Sequence, residues 1–172
     1  MSRGLGDVYK RQGISLGKQT VINYLGYITD SYLLFSIPNY AAKLALKETS
    51  PKYYFMDTGF LELMLLDCKS AQLENLVAIE LIRRYGKDDV FYFENNVEID
   101  FYIPSEGLAV QVSMQVLDNI DTKERETRAF IRLNNFIHLS KCILITNAEE
   151  AILDYEGITI NVVPIWKWLL HD

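Results

Sequence analysis

Histidine and cysteine are almost missing from this chain: two of each in 172 residues. His138 and His171 fall in different predicted elements, and Cys68 and Cys142 form no CxxC pair, so a zinc site is not expected. Two distant cysteines build no disulfide framework, which fits a reducing, cytoplasmic setting. No apolar run is long enough to span a bilayer, and the start does not resemble a signal peptide, so no membrane partner is expected. Internal repeats and low-complexity tracts are lacking as well. Positive charge is in deficit, with 17 Lys and Arg against 23 Asp and Glu, a net charge of −6. Such a chain is a poor non-specific binder of nucleic acid, because phosphate neutralisation dominates that affinity. What is plentiful is apolar surface: 49% of residues are hydrophobic and 12% aromatic. That is enough for a sizeable core and argues against disorder.

The first residues stand apart. Asp7-Val8-Tyr9-Lys10-Arg11-Gln12 translates GAT GTG TAT AAG AGA CAG, which looks like the transposase mosaic-end adapter of sequencing libraries. Residues 1–12 are therefore expected to derive from an adapter rather than a gene. The true protein then extends upstream of Gly13, and this chain is a C-terminal fragment. Removing that segment makes the remainder more acidic still. The run Gly13-Ile14-Ser15-Leu16-Gly17-Lys18-Gln19-Thr20 imitates a Walker A loop but fails as one. Its glycine spacing is one residue short, Gln19 replaces the magnesium-holding Ser or Thr, and no strand precedes it.

From Ser15 the pattern is helical, with Val21, Tyr24, Leu25 and Ile28 on one stripe. Leu33 to Ile37 reads as a strand stopped by Pro38, and Tyr40 to Lys47 as a linker or short helix. Lys52 to Asp57 is a second strand. Leu73 to Tyr85 is a helix with Leu73, Leu76, Val77 and Leu81 on one face and Gly86 as its stop. Val90 to Phe93 and Val97 to Ile103 are strands joined near Asn95-Asn96. Leu108 to Met114 follows after the Pro104-Ser105-Glu106-Gly107 turn. Asp121-x-x-Glu124 reads as a capping box for a helix to about Asn135. Cys142 to Thr146 is a continuous apolar run, as in a strand buried on both faces. Ile158 to Val163 is a strand, and Ile165 to Leu170, with Trp166 and Trp168, a terminal helix. The order predicts an α/β protein with a mixed central sheet and helices on both faces.

Two neighbouring strands carry the functional signal. Strict alternation places Val97, Ile99, Phe101 and Ile103 on one face of the first, with Glu98, Asp100 and Tyr102 opposite. In the second, Leu108, Val110, Val112 and Met114 are the apolar set, leaving Ala109, Gln111 and Ser113. Paired as a hairpin, Asp100, Gln111 and Ser113 are expected to converge on one polar surface.

These residues support a resemblance. Lys52-Tyr53-Tyr54-Phe55-Met56-Asp57-Thr58-Gly59, Leu73-Glu74-Asn75-Leu76-Val77, Glu98-Ile99-Asp100-Phe101, Val110-Gln111-Val112-Ser113, Glu124-Arg125-Glu126, Leu144-Ile145-Thr146 and the Pro164-to-Leu170 tail resemble the C-terminal region of prokaryotic AAA-type ATPases. That region looks like a PD-(D/E)XK nuclease fold, which is restriction-endonuclease-like, behind a winged helix. The resemblance implies a partial winged-helix segment over residues 13–58, whose first helices are missing, and a nuclease-like domain over 59–172. It implies an upstream ATPase module with the ATP site, so this fragment would not hydrolyse ATP by itself. A metal-dependent nuclease of this type uses an Asp on one strand and Glu-x-Lys, sometimes Gln-x-Lys, on the next. Here Asp100 is in place, Gln111 stands for the acid, and Ser113 stands where Lys should be.

Each candidate has a plainer role. Glu74 matches an acid facing the metal, or is a first-turn acid favoured by the helix dipole. Asp100 would be the principal Mg²⁺ ligand with Glu74, or a solvated strand residue or partner of Arg125. Gln111 offers a neutral carbonyl. Ser113 cannot supply the cation that steadies developing charge, a loss of about 10²–10³ in rate. Lys123 and Arg125, early in the next helix, are the candidate replacement cations; paired with neighbouring acids, they would instead form a solvated face with Arg128 and Arg132. Arg83 and Arg84 would complement their own helix dipole. Lys18, Gln19 and Asn23 would be the nucleic-acid contacts of the winged helix, or that helix serves interdomain packing.

Three functions follow. The first is a non-enzymatic binding or regulatory module: a degenerate nuclease-like domain at the end of a cytoplasmic ATPase, with a protein or DNA partner and no cofactor of its own. The second is a weak Mg²⁺-dependent DNA nuclease with a migrated cation. The third is a structural assembly domain, in which oligomers would form. Sequencing the uninterrupted gene upstream of Gly13 is expected to find a nucleotide-binding module; a reading frame starting near Met1 removes it.

Overall fold

The computed structural model describes residues 17–45, 51–64 and 68–170. The adapter-like segment, most of the Walker-like run and His171 lie outside these residues. The elements in chain order are α1 (Lys18–Asp30), β1 (Leu34–Ile37), α2 (Tyr40–Ala45), β2 (Lys52–Phe55), α3 (Gly59–Met64), α4 (Lys69–Tyr85), β3 (Phe91–Glu94) and β4 (Glu98–Ile103). Then come β5 (Leu108–Val112), α5 (Ile120–Asn134), β6 (Lys141–Thr146), β7 (Ala151–Tyr155), β8 (Ile158–Pro164) and α6 (Ile165–Leu170). The chain is a mixed α/β protein, and β1 and β2 form a separate antiparallel pair beside a six-stranded sheet of order β3-β4-β5-β6-β8-β7. Strands β3, β4 and β5 are antiparallel, β5, β6 and β8 are parallel, and β7 runs antiparallel to β8. The sequence pattern missed α3 and β7. The latter has an edge strand's composition, with Ile152, Asp154 and Tyr155 exposed. No helix among the described residues is long and apolar enough to cross a membrane.

A core lies on each face of the sheet. On one, Val77, Ala78 and Leu81 of α4 and Trp168 of α6 pack on Phe101, Ile103, Val110 and Ile145. On the other, Ala129, Phe130 and Leu133 of α5 cover Ile99, Ala109, Leu144 and Ile160. Strand β6 contributes Ile145 to the first core and Leu144 to the second, which is why its sequence is continuously apolar. Phe35, Ile37 and Tyr54 of the β1–β2 pair enter the first core too. The pair and the large sheet therefore share one interior, across position 58.

Two asparagines fix this arrangement by imitating strand neighbours. The Asn75 side chain accepts from Phe55 N at 2.7 Å and donates to Phe55 O at 2.9 Å, tying β2 to α4. Asn39 donates to Glu94 O at 2.9 Å and accepts from Glu94 N at 3.2 Å. With the Tyr92 N to Pro38 O bond, it covers the outer edge of β3.

Three expectations are corrected here. Helix α1 buries none of its described side chains: Tyr24 is 55% exposed and Ile28 36%, and Val21 and Leu25 of the predicted stripe are only half-buried. Helix α5 starts earlier than the Asp121 capping box, because Asn119 caps it by accepting from Thr122 N at 3.0 Å. Arg84 sits in the last turn of its own helix, as expected, but also serves a second one. It donates to Trp168 O at 2.9 Å, stacks 4.5 Å from the Trp168 ring and bonds Glu80 at 2.6 Å, closing the C-terminal end of α6. Hydrogen bonding to Arg83, then to Arg84, pulls the Glu80 carboxyl down to about 2.

Replacing Asn75 with Ala strands both polar groups of Phe55. We expect a loss of about 1–3 kcal/mol in urea denaturation; an unchanged midpoint would mean that this bracket is not what holds β2.

Candidate functional site

The β4–β5 ladder runs from Ile103↔Leu108 to Phe101↔Val110 and then opens. Past that point side chains replace its rungs. Gln111 Oε1 accepts from Asp100 N at 2.7 Å, Gln111 Nε2 donates to Glu98 O at 3.3 Å, and Asp100 Oδ2 accepts from Val112 N at 2.9 Å. A β-bulge accompanies the opening. Phe91 pairs with Tyr102 but Phe93 with Ile99, so Asp100 and Phe101 together oppose Tyr92 alone. A bulge of this kind bends its strand and re-aims a side chain. Its effect on β4 is visible in the cores: Val97, Ile99 and Tyr102 belong to the α5 side, Phe101 and Ile103 to the α4 side.

The bulge overturns the expected strict alternation, and with it the expected single polar surface. The Asp100 carboxylate lies on the α4 side with Lys52. The Gln111 amide lies on the α5 side, where it donates to Glu126 Oε2 at 2.9 Å. The two residues meet, but through the Asp100 main chain and across the strand. Ser113 takes no part, since its hydroxyl donates to Gln115 O at 3.1 Å.

On the α4 side the cation comes from an unforeseen place. Lys52 Nζ, on β2, lies 3.0 Å from Glu98 Oε1 and 3.8 Å from Asp100 Oδ1. It also sits 5.2 Å from the centre of the Tyr92 ring. Two residues along β2, the Tyr54 hydroxyl donates to Glu74 Oε1 at 2.8 Å. Burial, then the charge of Glu74, raises the Asp100 carboxyl to about 7, against the lowering pull of Lys52 and of the Val112 N–H. Burial would lower the Lys52 ammonium, but Asp100, Glu74 and Glu98 outweigh it and raise it. Burial and Glu74 likewise raise the Tyr54 phenol well above its usual range. Several acids thus share one ammonium, and Asp100 gives up its proton far less readily than an ordinary carboxyl.

The expected replacement cations do not fill this role. Arg125 donates to its neighbour Glu126 at 3.0 Å with its side chain 73% exposed, and feels Asp100 only at a distance. Lys123 forms no ion pair with Asp100 or Glu98. Arg128 pairs with Glu124 at 3.0 Å along the helix. Asn23 accepts from Gln19 at 3.0 Å on an exposed face of α1, and the Lys18 side chain lies outside the described positions. Among the described residues no three His, Cys, Asp or Glu are arranged to hold a metal. The donor set agrees with that. One Asp100 oxygen accepts from Val112, the other faces Lys52, and the Gln111 carbonyl accepts from the main chain. The Asp100 and Gln111 oxygens thus face partners within the chain.

Lys52, Tyr54 and Glu126 were not foreseen. Glu126 left a signal: with Ala129, Phe130 and Leu133 it occupies i, i+3, i+4 and i+7, an acid on an apolar stripe, and it is 6% exposed. Lys52 left none, because its partner Glu98 is 46 residues away and on another sheet.

Set beside known proteins, part of this mixed α/β chain matches a family profile. A family profile described as a domain of unknown function (DUF8612) matches residues 7–72. The chain is also similar to an uncharacterized protein, MJ1544, of Methanocaldococcus jannaschii, with 30% identity over 176 aligned positions. The alignment covers 96% of this chain and 40% of that relative, so the chain spans less than half of its length. No solved structure matches the chain significantly.

A pH dependence follows from Asp100. Folded, it holds its proton up to about 7, against an ordinary value of 3.8. Between those values the native state binds more protons than the unfolded chain, so this group's contribution is whole below about pH 4 and falls as pH rises towards 7. Asp100→Asn is expected to flatten that fall in urea midpoints taken across the window; an identical slope in the variant would assign the titration elsewhere.

Proposed function

We propose that this chain is the C-terminal, nuclease-like module of a larger cytoplasmic AAA-type ATPase, and that it binds or regulates rather than cuts. The support for a larger protein is the relative, of which the chain spans 40%. The support for a nuclease-like scaffold is an antiparallel β3–β4–β5 meander continued by the parallel β6, with Asp100 at the opening of β4 and β5 and an acid-bearing helix, α4, before it. Helix α1 followed by β1–β2 is consistent with the last helix and wing of a winged helix. Two free, buried cysteines are consistent with a reducing compartment.

One observation carries the non-enzymatic reading: the side chains at the strand motif positions face partners inside the protein. Gln111 bonds main chain and Glu126, Asp100 accepts from Val112 N and lies 3.8 Å from Lys52, and Ser113 bonds Gln115. An enzyme's groups aim at where charge develops in the transition state; these aim at one another. A protein partner suits the net charge of −6 better than a nucleic acid does. A second reading, a weak Mg²⁺-dependent nuclease, has one observation in its favour. Lys52 brings a cation to Asp100 that the strand motif lacks.

Plasmid incubated with the protein and Mg²⁺ or Mn²⁺ is expected to stay supercoiled. Nicking that disappears in Asp100→Ala would replace the first reading by the second. Fluorescence titration with duplex DNA is expected to show at most binding at low salt that vanishes at moderate salt; binding that persists would make the partner a nucleic acid.

A further inference from the structure

We infer that Lys52 is the built-in cation of the acid cluster: its ammonium occupies the place a divalent ion would need, and so makes this corner of the protein independent of metal. The inference rests on the nuclease-like reading of the scaffold and adds what became of its ion.

Three observations carry it. First, the ammonium is held in place. Lys52 pairs in register with Ile37, which is fully buried. Its side chain runs over the Tyr92 ring, and Tyr54, on the same side of β2, is anchored to Glu74. Asn75 brackets Phe55, so the strand cannot draw the lysine away without breaking both of those bonds.

Second, it is the cation that these acids share. Among the described residues, no other Lys or Arg lies within ion-pair distance of Glu98 or Asp100. The Asp100 side chain is only 18% exposed and that of Lys52 only 23%. A carboxyl so withdrawn from water ionises readily only beside a positive charge. An ammonium attached to the chain supplies one permanently, whatever the ion concentration around it.

Third, both Asp100 oxygens already face groups of the chain. Mg²⁺ binds carboxylate oxygen at about 2.0–2.1 Å and demands near-octahedral room. The Asp100 oxygen that would accept it already faces Lys52 Nζ at 3.8 Å. The other carboxylate oxygen is bonded to Val112 N. A divalent ion would sit against an ammonium in a partly desolvated corner, where like charges repel far more than in water.

The test is divalent-ion binding, read without any activity assay. Wild type, Lys52→Met, Lys52→Arg and the double variant Lys52→Met with Asp100→Asn are melted with and without millimolar Mn²⁺. Wild type and Lys52→Arg, which keeps the charge, are expected to shift by less than about 1 °C. Lys52→Met is expected to melt lower than wild type in chelator and to regain about 5 °C with Mn²⁺, a gain lost in the double variant. A Lys52→Met protein that gains no more than wild type overturns the inference. Should Lys52→Met not fold, the paramagnetic resonance signal of free Mn²⁺ decides on wild type alone. A signal left unchanged supports the inference. A signal depleted by wild type and restored by Asp100→Asn overturns it. Mn²⁺ uptake through Asp100 without plasmid nicking would sink this inference and spare the proposed function; nicking would sink the proposed function itself.

Discussion

A carboxylate withdrawn from water organises this protein. Asp100 sits at the bulge where β4 leaves β5, and the structure around it exists to make that position tolerable. One oxygen takes the Val112 N–H, the other faces Lys52, and the Asp100 N–H is satisfied by Gln111. Removing any one partner would leave a buried polar group uncompensated, which costs more than the bond itself contributes. The cluster is therefore a unit. It joins β2, α4, β4 and β5 by charge and hydrogen bonding where the apolar core alone would leave the β1–β2 pair resting on a hydrophobic face.

The same cluster carries the functional interpretation. A site built for chemistry leaves donors and acceptors directed at an absent reactant. Here the network closes on itself, on both faces of the sheet: Lys52 with Glu98 and Asp100 on one side, Gln111 with Glu126 on the other. The proposed loss of hydrolysis is thus more than a missing lysine in a motif. The acid and amide positions face partners within the chain, and the cation beside Asp100 comes from Lys52 on β2.

Much of the architecture was legible from local pattern. Alternating and continuous apolar runs located β1, β2, β3, β4, β5, β6 and β8, and helical periodicity located α4 and α5, because burial imposes periods of two and 3.6 residues on the chain. The edge strand β7 escaped because its exposed face is not marked by polarity alone. Helix α1 misled in the opposite direction: an apolar stripe states what a helix can bury, not that something covers it. The bulge at Asp100 and Phe101 was invisible, since Phe101, Tyr102 and Ile103 are apolar or aromatic whichever face each takes.

By itself, then, the sequence determined the α/β class, most of the elements, and the acids and amide to watch: Glu74, Asp100 and Gln111. It could do so because those depend on neighbours a few residues away. Only the tertiary structure decided which face each polar side chain takes and which cation answers Asp100. Those depend on a bulge that shifts the register of β4 and on a strand docked from 46 residues upstream of Glu98. Charge pairs in space, and no spacing along the chain records it.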